Sequence, residues 1–220
     1  MVFEAKANAE PPTAKKSATT AAAQATATAD AGQTSGGCKK VSAPGPKAVD
    51  ASAPKAPLDK GKTYTVVMTT SCGEIQIRLD VKHDPKTAAS FAKLVKSGFF
   101  DGLSFHRVVP GFVIQGGDPQ GDGSGGPGYK VVEAPPADQQ YVKGVVAMAK
   151  TAAEKPGTSG SQFFIVTGDD AGLPAEYAVA GKVVAGQDVA DAIGNIPPQG
   201  GSDGPPSEPV VIERARLKTS

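Results

Sequence analysis

Arg107 lies where an arginine is costly. The stretch Phe105-His106-Arg107-Val108-Val109-Pro110-Gly111-Phe112-Val113-Ile114-Gln115 sets one cation, one aromatic ring and one amide on two apolar runs joined by Pro110-Gly111. A second block, Gly160-Ser161-Gln162-Phe163-Phe164-Ile165-Val166-Thr167, again places an amide beside aromatics in an apolar run. A guanidinium is always charged and offers planar donors in a rigid fork, which suits it to stabilising charge that shifts during a reaction. An edge-strand arginine in a surface ion pair would leave the same local pattern. Amides in apolar runs are costly unless hydrogen-bonded, so Gln115 and Gln162 have structural work to do whatever else they do.

Other chemistries find little support. His106 neighbours Arg107 and so points to the opposite face of a strand. The run Gly121-Asp122-Gly123-Ser124-Gly125-Gly126 lacks the strand-to-helix setting of a phosphate loop. Two cysteines and two histidines are too few for a convincing metal site, and no serine nucleophile elbow occurs. A net charge of +1 gives no field for nucleic acid or a membrane surface. No run of apolar residues is long enough to span a bilayer.

The elements that must position these residues read mainly as strands. Tyr64 to Thr70 and Glu74 to Asp80 flank the turn Ser71-Cys72-Gly73, a hairpin. Asp84 suits a helix N-cap and Pro85 the first helical position; Ala88, Phe91, Ala92 and Val95 then form one apolar face, and Gly98 ends it. Further strands fit 104–109, 112–115, 145–149, 163–166, 178–183 and 210–217, with a second helix over 188–193. Many short strands and two helices predict an all-β-dominated domain, a closed antiparallel barrel capped by helices.

The two motif blocks resemble the cyclophilin family of peptidyl-prolyl cis-trans isomerases, of a bacterial, exported actinobacterial-like type. The resemblance covers residues 62 to 217. It implies a closed eight-stranded antiparallel barrel with two capping helices, no cofactor, and X–Pro isomerase activity on unfolded or flexible proline-containing polypeptides, assisting folding. It assigns catalysis to Arg107, with Phe112 and Gln115. It assigns substrate binding to Val113, Gln162, Phe164, Leu173 and Tyr177, and to Ala149 and Lys150 as an edge strand that pairs with substrate. The second reading is a proline-peptide binding module or holdase with little turnover, which an intact Arg107 disfavours. The best-known members carry Met at position 113, Asn at 150, Trp at 172 and His at 177. Gly172 removes the indole those members use for cyclosporin, so cyclosporin binding is expected to be weak. A monomer is expected.

The chain changes character near residue 58. Residues 1–58 are rich in Ala, Thr, Lys, Pro and Ser, and Phe3 is their only aromatic. Such a segment cannot bury enough apolar area to offset its ordering entropy, so it is expected to be a disordered tail or spacer before an isomerase domain at 59–220. Cys72 in the hairpin turn and Cys38 in the tail are disulfide candidates. Such a bond would favour an extracytoplasmic location over a cytoplasmic one. The first residues lack the apolar segment of a signal peptide, leaving a removed export signal or anchor as an open expectation.

Overall fold

The computed structural model describes residues 37–49 and 51–220. Residues 1–36, most of the expected tail, lie outside the described residues. The strands are β1 (Tyr64–Thr70), β2 (Gly73–Leu79), β3 (Phe105–Val109), β4 (Val113–Gly116), β5 (Val131–Val132), β6 (Val145–Met148), β7 (Thr158–Ser159), β8 (Phe163–Val166), β9 (Val179–Ala185) and β10 (Ile212–Thr219); the helices are α1 (Pro85–Lys96) and α2 (Gln187–Gly194). Eight strands form one antiparallel sheet in the order β10-β1-β2-β9-β6-β8-β4-β3. β5 and β7 make a separate two-stranded pair. Each of those two is only two residues long, too short to leave a period in the sequence.

The expected closed barrel needs correction. The ladder ends at β10 and β3, and the sheet curls until these ends meet at a single bridge, Ser104 with Val211. Two flanking hydrogen bonds pin the seam, from Phe105 N–H to the Val210 carbonyl (3.0 Å) and from Ile212 N–H to the Leu103 carbonyl (2.7 Å).

Alternation explains which residues fill the curl. In β2, Ile75, Ile77 and Leu79 are buried while Glu74 and Arg78 are exposed. They join Val66, Met68, Phe91, Leu94, Phe100, Phe105, Phe163 and Ile165 in the main core. Phe163 and Phe100 meet edge to face at 5.6 Å, a favoured aromatic geometry. β8 and β6 behave differently, because every residue in them is buried. Phe163, Ile165, Val146 and Met148 face the main core, while Phe164, Val166, Val145 and Ala147 face a second cluster with Val113, Tyr141, Tyr177 and Val179. Strands covered on both faces read as continuous apolar runs, which is how they looked in the sequence.

Helix α1 starts differently from its sequence signal. Pro85 takes the first helical position, but Asp84 makes no side-chain capping bond. Glu133, just beyond β5, supplies the cap instead, accepting from the amides of Lys86 (3.1 Å) and Thr87 (2.7 Å). Asp84 is buried, and its Oδ1 has no hydrogen-bond partner among the described residues. Burial first, then the charge of Glu133, pushes its carboxyl up to about 6. At the other end of α1, Gly98 adopts φ +68°, the left-handed conformation that closes helices.

The described part of the tail lies against the domain. Cys38 is joined to Cys72 by a disulfide. Lys39 N–H donates to the Ser71 carbonyl and Lys47 N–H to the Pro119 carbonyl. The Lys47 ammonium donates to the carbonyls of Gly98, Phe99 and Asp101 at 3.0, 3.0 and 2.7 Å. Val49, Ala51 and Leu58 pack on the main core. The first bonds to the sheet thus come well before residue 59, and the segment 38–58 gains from the fold what its composition could not supply alone. Its order comes from a covalent tether, one lysine seated on three carbonyls and a few scattered apolar contacts.

Two stability predictions result. Cys38→Ser should lower unfolding free energy by about 3 kcal/mol, because the bond closes a 34-residue separation; denaturant melts of oxidised wild type and variant measure it, and equal stabilities would count against the tether. Asp84 has a raised pKa in the folded state, so its contribution is fully present below about pH 4 and is lost as pH rises through about 6. The difference in stability between wild type and Asp84→Asn should therefore move against wild type by roughly 1–2 kcal/mol across that window, after solvent screening is allowed for. Taking the difference cancels Glu154, whose pKa is lowered and acts in the opposite sense.

Candidate active site

A β-bulge aims the arginine. Phe105 pairs with Gly116 and Arg107 with Gln115, so His106 is the extra residue on β3. A bulge re-directs the side chain that follows it. Here it sets Arg107 opposite Gln115, on the face that carries the second cluster. From Gln115 the register runs to Phe164 on β8 and on to Ala147 on β6. A cation, an amide, a ring and a methyl group thus lie in one row across the sheet.

His106 is turned away and buried, with neither ring nitrogen hydrogen-bonded among the described residues. Burial pushes its pKa below the usual imidazole value, so it stays neutral behind the arginine.

The row is the floor of a groove of about 1230 Å³. All of Arg107, Phe112, Val113, Gln115, Ala149, Lys150, Gln162, Phe164, Leu173 and Tyr177 line it, so the structure gathers every expected groove residue in one place. Cys38 and Cys72 lie elsewhere, where the tail meets the β1–β2 turn. Val113 and Phe164 are buried at the base, and Phe112 and Leu173 are partly exposed. Tyr177 meets Phe164 edge to face at 5.6 Å. Tyr141 fixes Tyr177 through the backbone: its hydroxyl donates to the Tyr177 carbonyl (2.7 Å) and accepts from the Tyr177 amide (2.9 Å). Burial, then the Glu176 carboxylate, raises the Tyr177 phenol above its ordinary value, so the hydroxyl stays protonated.

The polar side is a relay of side chains. Arg107 Nη1 donates to Gln115 Oε1 at 3.2 Å. Gln115 Nε2 donates to Gln162 Oε1 at 3.0 Å. Gln162 Nε2 donates to the carbonyls of Gly123 and Gly125, both at 2.9 Å. The glycine-rich loop is in turn folded around buried Asp118, whose carboxylate accepts from the amides of Gln120, Asp122 and Gly123. A Cβ at position 125 would run into that carboxylate, so the loop can close only with glycine there. Both glutamines are thereby satisfied, as amides in an apolar setting require.

Three residues that sequence reasoning did not single out shape the site. Asp203 grips Arg107 with both oxygens, from Nε and Nη2, each at 2.7 Å. It sits in a Pro/Gly-rich stretch with no period, so nothing in the sequence connects it with β3. Glu176 holds the Lys150 ammonium at 2.9 Å, and that side chain is only 4% exposed. The ammonium also lies 5.5 Å over the Tyr177 ring. Tyr141 is the third.

The expected substrate-pairing edge at Ala149 and Lys150 takes another form. β6 ends at Met148 and is flanked by β8 and β9, so it is not a sheet edge. Ala149 already donates its N–H to the Gln162 carbonyl at 2.9 Å. Only the chain that follows β6 borders the groove. Among the described residues no group of three or more His, Cys, Asp or Glu side chains could hold a metal ion.

Comparison with known proteins agrees with this geometry. The family model for cyclophilin type peptidyl-prolyl cis-trans isomerases matches residues 65–217. Peptidyl-prolyl cis-trans isomerase A of Mycobacterium tuberculosis is 40% identical over 169 residues, covering 69% of this chain and 90% of that protein. A peptidyl-prolyl cis-trans isomerase of Schizosaccharomyces pombe is 40% identical over 154 residues, covering 68% of this chain and 96% of that protein. A crystal structure of a cyclophilin type isomerase from Cryptosporidium parvum superimposes with a TM-score of 0.65 at 31% identity, covering 71% of this chain and 98% of that one. The same protein has been crystallised in the presence of the dipeptide Ala-Pro, with a TM-score of 0.64 to this chain. With the groove, the bulge-aimed arginine and these matches in agreement, the chain belongs to the cyclophilin family of peptidyl-prolyl cis-trans isomerases.

Proposed function

We propose that the groove accelerates rotation about X–Pro bonds in flexible or unfolded polypeptides, with Arg107 as the catalytic residue. The observation that carries this is a guanidinium, its side chain 20% exposed, held at the rim of an apolar pocket made by Phe112, Val113, Phe164, Leu173 and Tyr177. The pocket fits a pyrrolidine ring and desolvates it. Rotation about the C–N bond faces a barrier of roughly 18–20 kcal/mol, because resonance is lost as the bond twists. In the twisted state the prolyl nitrogen regains a lone pair that a fixed N–H donor can meet. That interaction is absent in the planar ground state, so it favours the transition state selectively. Gln115 keeps the guanidinium in place, Gln162 anchors Gln115, and the chain at Ala149 and Lys150 borders the bound peptide. The chemistry involves no proton transfer and no covalent intermediate.

The disulfide supports an oxidising, extracytoplasmic setting, and the isomerase is proposed to act there on proline-containing chains during folding. Among the described residues Val132 and Val184 are the exposed large hydrophobics, and they do not make the kind of patch that drives association. This supports action as a monomer.

Arg107→Ala should lower kcat/KM for a proline tetrapeptide by at least about tenfold, or about 1.4 kcal/mol of transition-state stabilisation. Near-normal turnover in the folded variant would favour a binding module or holdase instead. Cyclosporin should bind weakly, since Gly172 places no side chain at the groove. Gly172→Trp should tighten it only in part. A Cβ at 172 meets nothing within 4 Å, but the residue has φ +59°, which a tryptophan adopts at a cost of about 1–2 kcal/mol. Titration calorimetry on both proteins tests this, and tight binding by the wild type would show that other contacts replace the indole.

A further inference from the structure

The loop between α2 and β10 is built to deliver one carboxylate. Pro198 and Pro206 form an antiparallel bridge across its base. Gln199 N–H donates to the Pro205 carbonyl and Ser207 N–H to the Pro197 carbonyl, both at 2.8 Å, and the Gln199 side chain donates to the Pro206 carbonyl at 3.1 Å. Five prolines in this stretch, Pro197, Pro198, Pro205, Pro206 and Pro209, fix their own φ angles and restrict the residues before them. Gly204 then bridges to Val108 on β3. Val108 N–H donates to the Gly204 carbonyl (2.8 Å) and Gly204 N–H to the Val108 carbonyl (3.3 Å). Val108 follows Arg107 and Gly204 follows Asp203. The bridge is antiparallel, so Arg107 lies opposite Pro205 and Asp203 opposite Val109; the two charged residues are diagonal neighbours on one face, and a fork of two 2.7 Å bonds spans the diagonal.

We infer that Asp203 is a positioning residue for the isomerase reaction: it holds the Arg107 guanidinium in the plane and direction that catalysis uses. This rests on the reading of Arg107 given above. A long arginine side chain has rotamer freedom to lose, and a donor that must be found and oriented during bond rotation is less effective than one already placed. Gln115 offers only a neutral acceptor at 3.2 Å, on the Nη1 side. Asp203 offers a charge-assisted bidentate pair on the Nε and Nη2 side, the stronger and more directional of the two. Between them the two acceptors clamp the guanidinium from two directions.

The pair also differs from an ordinary surface ion pair. Asp203 is 49% exposed, and in a mobile loop such a pair would contribute little. Here the carboxylate is fixed by a backbone bridge one residue away, so little further entropy is lost on pairing. Asp203 also lines the groove, at the end away from Phe164 in the row that runs from Arg107 through Gln115, so kcat and KM must be separated to tell a hold on the guanidinium from a hold on the peptide.

The test uses the full chain with Asp203→Asn, Asp203→Ala and the reference Arg107→Ala, each with a thermal melt. Single-substrate kinetics on a proline tetrapeptide separate kcat from KM. Asp203→Ala should lower kcat about tenfold with KM within about twofold of wild type, and Asp203→Asn, which keeps one acceptor, should fall between. The Nε–H resonance of Arg107, assigned by its loss in Arg107→Ala, should be sharp and slow to exchange in wild type and broadened in Asp203→Ala. Unchanged or raised kcat in a folded Asp203 variant would overturn the inference. So would a rise in KM alone, which would make Asp203 a wall of the groove. Should Asp203→Ala fail to fold, the nearly isosteric Asp203→Asn decides by the same criteria. Equal activities of wild type and Arg107→Ala would instead overturn the function assigned to the arginine.

Discussion

Everything at the site depends on strands that are buried on both faces. β8 and β6 expose no residue to solvent, although each has two faces to cover. One face fills the curled sheet, and the other would be an exposed apolar surface if nothing lay over it. The segment from Tyr141 to Val145 and the stretch from Ala171 to Val179 cover part of that surface. What they leave uncovered is the groove. The apolar pocket is therefore the unfinished portion of a second hydrophobic core, and burying an apolar group there would draw on the same effect that stabilises the fold. Tyr141 shows how closely the two are linked, because the hydroxyl that completes its own hydrogen bonding also fixes Tyr177 at the pocket wall.

A charge beside such a pocket must be held by bonded neighbours. Arg107 has them on two sides, through Asp203 and through the chain Gln115, Gln162, Gly123 and Gly125. The second chain explains why a glycine-rich loop sits next to an isomerase groove. Its carbonyls are turned toward Gln162 because Asp118 collects the amides on its other side. Lys150 obeys the same rule farther along the groove. With its side chain almost fully buried, it is paired with Glu176 and lies over Tyr177. Removing Glu176 would leave the buried ammonium with the Tyr177 ring and two long contacts to the carbonyls of Thr151 and Glu154, each 3.4 Å, in place of a charged partner.

Local periodicity made most of this fold legible. β2 alternates cleanly, and α1 shows its apolar stripe and its glycine stop, so these elements fall close to where sequence places them. Groove residues were legible for another reason: the two motif blocks are each contiguous, and the sheet register simply brings Arg107, Gln115 and Phe164 into one row. What escaped depends on contacts between distant segments. Asp203 reaches Arg107 across a separation of 96 residues, and Glu133 caps a helix across 47. Neither partner's local sequence carries a trace of the other. The cap is instructive, because Asp84 has the right residue type and position and yet does not serve. Tertiary packing buries it, and Glu133, just beyond β5, accepts from the helix amides instead.

The tail illustrates the reverse error of inference from composition. Low hydrophobicity leads to the expectation that residues 1–58 do not order themselves alone. It says nothing about whether a folded neighbour can hold them. Lys47 is the clearest instance. In sequence it is one lysine in a Pro-Gly-Pro-Lys run. In the structure its ammonium meets three carbonyls left by the chain that turns after α1, and burial lowers its pKa despite the nearby Asp101 carboxylate. These carbonyls lie in the turn beyond the Ser97 C-cap, and the Gly98 carbonyl also accepts from the Asp101 N–H. The Cys38–Cys72 bond fixes one end of this strap at the β1–β2 turn, and Lys47 fixes the middle at α1. Between them the strap crosses from one edge of the domain to a helix terminus. Its order is imposed by the groups it reaches, which is why its own composition could not announce it.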